Sequence, residues 1–254
     1  MSIDTTVHYS VSDGIARIHL DRPRASNALD PELAAGFEAA VAEVAADTST
    51  RVLVLSGGGK NFCAGGDVRQ MAAASDMPAF LTDLAGTVHR ALVMLDSLPV
   101  PVVAAVQGSA AGAGLGLVLA ADFVVAGTSS TFTAAYSAVG LSPDCGVSEL
   151  LPRVVGMRRA ARILLDGKVL TADEALDWDL ITDVVDDDEI NPRADDIAAR
   201  LARGTFPAIG QTRRLLRASG TRSYADHLDD EALTIAKVST SEDAVTRITK
   251  FAGR

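Results

Sequence analysis

Hydrophobic and polar positions alternate from Val7 to Leu20, in VHYSVSDGIARIHL, on either side of Asp13-Gly14. A period of two around an Asp-Gly pair predicts a β-hairpin. A Pro-containing loop, DRPRASNALD, follows and carries Arg22 and Arg24. The period then changes: Asp30 precedes Pro31, and Leu33, Phe37, Val41 and Val44 recur at helical spacing, which predicts a helix capped by Asp30. Short β-branched apolar runs at Arg51 to Ser56, Val100 to Val106 and Phe123 to Ala126 fit buried parallel strands, with a helical stretch from Met77 to Leu95 between two of them. Alternating strands and helices imply an α/β fold of right-handed βαβ units. Thr171 and Glu174 have capping-box spacing before ADEALDWDL, and ITDVVD supplies a late strand. From Pro192 the pattern is mainly helical, which divides the chain into a core, residues 1–191, and a helical region, residues 192–254.

Two Gly-rich elbows interrupt this pattern, NFCAGGDV from Asn61 to Val68 and QGSAAGAGLG from Gln107 to Gly116. Each follows an apolar strand-like run and leads into a helical stretch. Glycine serves tight turns and close packing without any ligand. Two such strand-to-helix turns can also bring bare backbone N–H groups onto one oxygen, where preformed donors stabilise developing negative charge.

Composition narrows the partners. Apolar residues make up 48% and aromatic ones 4%, so Ala, Val and Leu must fill the interior. A formal charge of −10 disfavours nucleic acid and anionic membranes, because phosphate neutralisation needs clustered Lys and Arg. Cys63 and Cys145 lie far apart without CxxC or Cys/His spacing, and MSIDTTVHYS lacks a basic-then-apolar leader, so a reducing cytoplasm is expected. Ser97 to Ala121 is uncharged, but Pro99, Pro101, Gln107 and four glycines make it a strand, turn and helix rather than a membrane span.

Familiar motifs are missing. Lys60 is followed by Asn61, which breaks Walker spacing; Gly112, Gly114 and Gly116 do not make G-x-G-x-x-G; neither a G-x-S-x-G elbow nor metal-ligand spacing occurs.

The ordered segments RPRASNAL, NFCAGGDV, VPVVAAVQGSAAGAGLGLVLAADF, GLSPDCG and LPRVVGMRRA resemble the crotonase, or enoyl-CoA hydratase/isomerase, superfamily from about Val7 to Val185. The resemblance implies a spiral of ββα repeats with a C-terminal helical trimerisation region, assembled as a homotrimer or a dimer of trimers. It implies an acyl-CoA substrate, with coenzyme A as part of the thioester, and no separate cofactor or metal. The thioester oxygen would sit between the N–H groups of Gly66 and Ala113. Arg24, Ala25, Ala28 and the stretch Ala64, Gly65, Gly66, Asp67 and Val68 match the family's CoA-binding surface. Asp67, at a helix start, would shape the elbow. Lys250 and Phe251 lie where family members bring residues toward a neighbouring subunit's CoA.

The family's hydratases use two glutamates, and the matching positions here are Gly116 and Tyr136. Water addition is therefore disfavoured. Asp144, in LSPDCG, is a turn former by its context, but the resemblance makes it an active-site carboxylate. His89 matches a catalytic His of the aryl-CoA dehalogenase branch, and Tyr136 stands where that branch has Trp. The leading expectation is an enoyl-CoA isomerase that moves a double bond between β,γ and α,β positions with Asp144 carrying the proton. The alternatives are an aryl-CoA dehalogenase-like hydrolase, a hydratase, and a silent acyl-CoA-binding protein.

Overall fold

A computed structural model describes residues 6–253. The hairpin forms as expected: β1 (Val7–Ser12) pairs antiparallel with β2 (Ile15–Leu20) across the Asp13-Gly14 turn. Helix α1 (Pro31–Ala46) starts at Asp30, whose carboxylate accepts the Leu33 N–H. Strand β3 (Val52–Gly57) leads into the first elbow, followed by α2 (Val68–Ala73) and α3 (Met77–Ser97). Strand β4 (Val102–Val106) leads into the second, which itself contains a short strand, β5 (Ser109–Ala111), before α4 (Ala113–Ala120). Then come β6 (Phe123–Gly127), β7 (Thr131–Thr133), α5 (Val147–Val155), α6 (Met157–Leu164), β8 (Leu170–Thr171), α7 (Ala172–Asp177) and β9 (Asp183–Val185). Helices α8 (Ile190–Ala202), α9 (Ala208–Ala218), α10 (Tyr224–Val238) and α11 (Glu242–Ala252) finish the chain.

The main sheet has the order β1-β2-β3-β4-β6-β9, parallel throughout except for β1. Its inner strands are continuous apolar runs because both faces are covered. Ile18, Leu53, Leu55, Ala104 and Val124 face the larger core with α1, α3 and α4. The intervening Val52, Val54, Val103 and Val125 face Ile190, Ala194 and Ile197 of α8. Residue 191 thus lies inside a helix that covers the sheet. A second, small sheet, β5-β7-β8, stands at the elbows.

Beyond α8, one buried ion pair ties the helices to the core. Arg213, 4% exposed, donates to Asp122 at 2.6 Å and to the carbonyls of Asp96 and Leu98 at 2.9 and 2.7 Å. Arg217 also reaches Asp122, at 2.8 Å. Helices α10 and α11 leave Tyr224, Leu233, Ile235, Val245, Ile248 and Phe251 exposed. No helix among the described residues is long and apolar enough to cross a membrane.

Candidate active site

The two elbows are sewn together by their backbones. Phe62 N–H donates to the Gln107 carbonyl at 2.8 Å, Cys63 N–H to Ser109 at 3.2 Å, and Ala111 N–H back to Cys63 at 2.9 Å. Asn61 adds a side-chain bridge, accepting the Ser109 N–H at 3.0 Å and donating to Ser26 Oγ at 3.0 Å. Gly65, at φ +95°, lies so close to the second elbow that a Cβ there would meet the Ala111 carbonyl oxygen at 3.0 Å. Glycine is required at this position both by conformation and by space.

The preceding loop fixes the first elbow. Asn27 is completely buried with φ +53°, a left-handed conformation that Asn tolerates. Its Nδ2 donates to the carbonyls of Gly58 (2.9 Å), Asn61 (2.9 Å) and Phe62 (3.0 Å), and its Oδ1 accepts the Arg22 N–H at 2.8 Å. Arg22 in turn pairs with Asp30 at 3.1 Å and Asp67 at 2.8 Å. Asp67 caps α2 by accepting from Arg69 and Gln70, as its place before a helix suggested. Burial pushes its carboxyl up, but the Arg22 guanidinium and the two cap bonds outweigh this and hold it below the usual carboxylate range. Arg24, by contrast, is exposed and makes no ion pair among the described residues. Of the other candidate CoA contacts, Ala64 and Val68 are exposed, Ala25 and Gly66 are half-buried, and Ala28 and Gly65 are buried.

Gly66 and Ala113 both line one cavity of about 310 Å³, together with Tyr136, Asp144 and Cys145. Among the described residues, neither the Gly66 nor the Ala113 N–H has a protein acceptor. Ala113 is the first residue of α4, where N–H groups have no intrahelical partner and the helix dipole favours negative charge. The remaining wall is largely apolar, including Leu29, Met71, Leu84 and Val88.

Among the described residues, Asp144 is the single carboxylate on this wall. The loop that presents it turns through three left-handed residues, Gly140, Cys145 and Gly146. Oδ1 of Asp144 lies 2.5 Å from His89 Nε2 and accepts the Cys145 N–H at 2.6 Å; the Cys145 thiol lies 3.6 Å from Oδ2. Tyr136 does not reach the carboxylate. Its hydroxyl donates to the Asp144 backbone carbonyl at 3.1 Å, so it secures the loop while its ring lines the cavity. Burial, then the nearby Cys145 and Asp144, push the phenol well above its ordinary range. It remains a neutral hydrogen-bond donor.

Sequence spacing offered no metal-ligand cluster, yet the fold brings ligand atoms of His89, Asp144 and Cys145 within 4.8 Å of one another. Burial, with the Asp144 charge second, pushes the Cys145 thiol far above its ordinary range and keeps it protonated beside the carboxylate.

Asn27, Arg22 and Cys145 are the site-building residues that motif matching passed over. Asn27 and Arg22 stood in the quoted RPRASNAL segment; only the three carbonyls converging on Asn27 reveal its work.

Three comparisons bear on this site. Residues 10–253 match the model of the family described as enoyl-CoA hydratase/isomerase. The chain is 36% identical over 225 residues to 1,2-epoxyphenylacetyl-CoA isomerase of Escherichia coli K12, covering 87% of this chain and 85% of that one. It is 35% identical over 206 residues to 4-chlorobenzoyl coenzyme A dehalogenase-2 of an Arthrobacter species, covering 80% and 75%. Among solved structures, a Mycobacterium abscessus protein assigned as an enoyl-CoA hydratase/isomerase superposes with a TM-score of 0.92 at 37% identity, over 97% of this chain and 96% of that one.

Proposed function

Because this chain belongs to the enoyl-CoA hydratase/isomerase family and is an acyl-CoA enzyme of that family, we propose that it isomerises enoyl-CoA thioesters. The double bond moves from the β,γ to the α,β position, or back, through a thioester enolate. The observation that carries this reading is the lone carboxylate of the cavity wall, Asp144, in a space that also holds two N–H donors without protein acceptors.

The substrate carbonyl would lie between Gly66 and Ala113, which raises the acidity of the adjacent carbon. Asp144 takes the proton from C2 of a 3-enoyl thioester. The electron pair forms the C1–C2 enolate double bond, and its negative charge rests on the thioester oxygen. Return of the proton to C4 shifts the double bond to C2–C3 and restores both carbonyl and carboxylate. One carboxylate suffices, since the same proton leaves and returns. The chemistry balances without a metal or redox cofactor.

Hydration asks for more. It needs a second acid/base group to position and activate water, and the two relevant positions hold Gly116, which has no side chain to offer, and a half-buried, high-pKa Tyr136. The remaining parts of the proposal are a CoA moiety resting along Arg24 to Ala28 and Ala64 to Val68, a cytoplasmic setting in keeping with two unpaired cysteines, and a homotrimer or dimer of trimers. Exposed apolar residues on α10 and α11 support assembly.

The His89–Asp144 contact at 2.5 Å favours a second reading, dehalogenation. Asp144 would attack a ring carbon and expel halide, and His89 would activate water to cleave the aryl ester. A panel of 3-enoyl-CoA, 2-enoyl-CoA and 4-chlorobenzoyl-CoA, assayed with wild type and Asp144→Ala, separates the readings. Isomerisation predicts conjugated product from 3-enoyl-CoA and its loss in the variant. Turnover of only the chlorinated thioester selects the second reading, and turnover of none selects a silent binding protein.

A further inference from the structure

Cys145 carries a side chain where the backbone disfavours one. Its φ is +53°, and the neighbouring left-handed positions of the same loop, 140 and 146, are both glycine. An L residue held in this region is strained, and such strain persists where the surroundings over-determine it. The side chain is 2% exposed and points inward, with Sγ 3.6 Å from Asp144 Oδ2. At the same residue the backbone N–H donates to Oδ1 at 2.6 Å.

We infer that Cys145 is a positioning residue for Asp144: its N–H and S–H grip the two carboxylate oxygens separately and set the plane in which the carboxylate meets substrate. The role rests on the proposed use of Asp144 as the proton carrier. His89 grips Oδ1 from α3, leaving the thiol as the protein donor toward Oδ2. Cys63 and Tyr136 also stand near this thiol. Burial holds both neutral, the Cys63 thiol being pushed up to about 12. The Cys145 thiol is itself kept protonated, first by burial and then by the Asp144 charge, so it serves as a donor and not as a nucleophile. A glycine here would relax the backbone and abandon Oδ2.

Two measurements test this. The first is infrared spectroscopy of the S–H stretch, with the Cys145 band assigned by its loss in Cys145→Ser. A thiol donating to carboxylate gives a band that moves to higher wavenumber in Asp144→Asn; a Cys145 band that stays put overturns the proposal, whatever reaction the enzyme runs. The second compares Cys145→Gly and Cys145→Ser on 3-enoyl-CoA. In Cys145→Gly, kcat should fall roughly three- to tenfold, the scale of one lost weak hydrogen bond to a charged acceptor, with KM and melting temperature nearly unchanged. Cys145→Ser should recover part of the loss. Full kcat in the glycine variant overturns the proposal. Absence of isomerisation in the wild type counts against the proposed reaction alone, and the infrared result then decides the role of Cys145.

Discussion

A Cβ placed on Gly116 would meet the Cys145 carbonyl oxygen at 2.6 Å and the Cys145 Cβ at 2.9 Å. Position 116, in the second turn of α4, is therefore the floor on which the Asp144 loop rests. The resemblance matches this position to a glutamate of the family's hydratases; here the space belongs to the loop that carries Asp144.

Gly116→Ala should consequently destabilise the protein. Alanine in a helix is ordinarily better than glycine by about 1 kcal/mol, but overpacking a filled core costs about 1–3 kcal/mol. The second effect wins because the obstructing atom is backbone. Urea denaturation should show a lower midpoint, and a raised one would show that the loop yields freely. Gly116→Glu should not confer hydration, measured as loss of the conjugated 2-enoyl absorbance.

His89→Gln separates the two chemistries. If Asp144 shuttles a proton, His89 only orients it, and isomerisation should fall by less than about tenfold. A dehalogenation step that needs His89 to activate water should fall by about 100-fold or more, the usual weight of a general base. Steady-state kcat on 3-enoyl-CoA and single-turnover formation of 4-hydroxybenzoyl-CoA from 4-chlorobenzoyl-CoA read the difference, because chloride leaves before His89 acts.

Asn27→Ala should cost about 3 kcal/mol, because the two N–H groups of the amide, shared among three carbonyls, and its oxygen, which accepts the Arg22 N–H, amount to three hydrogen bonds at about 1 kcal/mol each. For a chain of this size that corresponds to a fall of roughly 6–12 °C in melting temperature. Asn27→Asp should fare no better, because a carboxylate cannot donate to the carbonyls of Gly58, Asn61 and Phe62. Thermal unfolding followed by circular dichroism checks both.

Acid should loosen the C-terminal helices through Asp230. Its carboxylate is held far below the usual range, chiefly by hydrogen bonds from Arg214, with Arg222 and Thr234 adding to them. A depressed folded value gives stability that is fully present above the ordinary carboxylate value, about 4, and is lost as pH falls toward the folded one. The stability difference between wild type and Asp230→Asn should be constant near neutrality and shrink below about pH 4. A gap that is unchanged at low pH would falsify the linkage.

Much of this architecture was legible in the residues. The Asp13-Gly14 hairpin, the Asp30 and Thr171 caps and the buried strands follow from local rules, and each appears with small shifts at its ends. The convergence of Gly66, Ala113 and Asp144 came from resemblance, since no periodicity predicts which loops meet. What remained hidden was three-dimensional: an asparagine serving carbonyls 31 to 35 residues away, a tyrosine securing a backbone rather than a carboxylate, and a strained cysteine beside Asp144. The change of pattern near residue 191 coincides with the start of α8, whose apolar face still packs on the sheet.

Helix α4 has a consequence of its own. All eight of its residues are buried and none is charged, and its first residue, Ala113, lines the cavity. Counterions screen exposed charges over about 8 Å at physiological ionic strength, but they reach buried dipoles far less. Salt should therefore change the capture of a polyanionic thioester, by screening its repulsion from an acidic chain, while leaving its conversion, once bound, almost untouched. In the proposed reaction, the donor that would stabilise the enolate is insulated from the ionic atmosphere that the rest of this strongly acidic surface must feel.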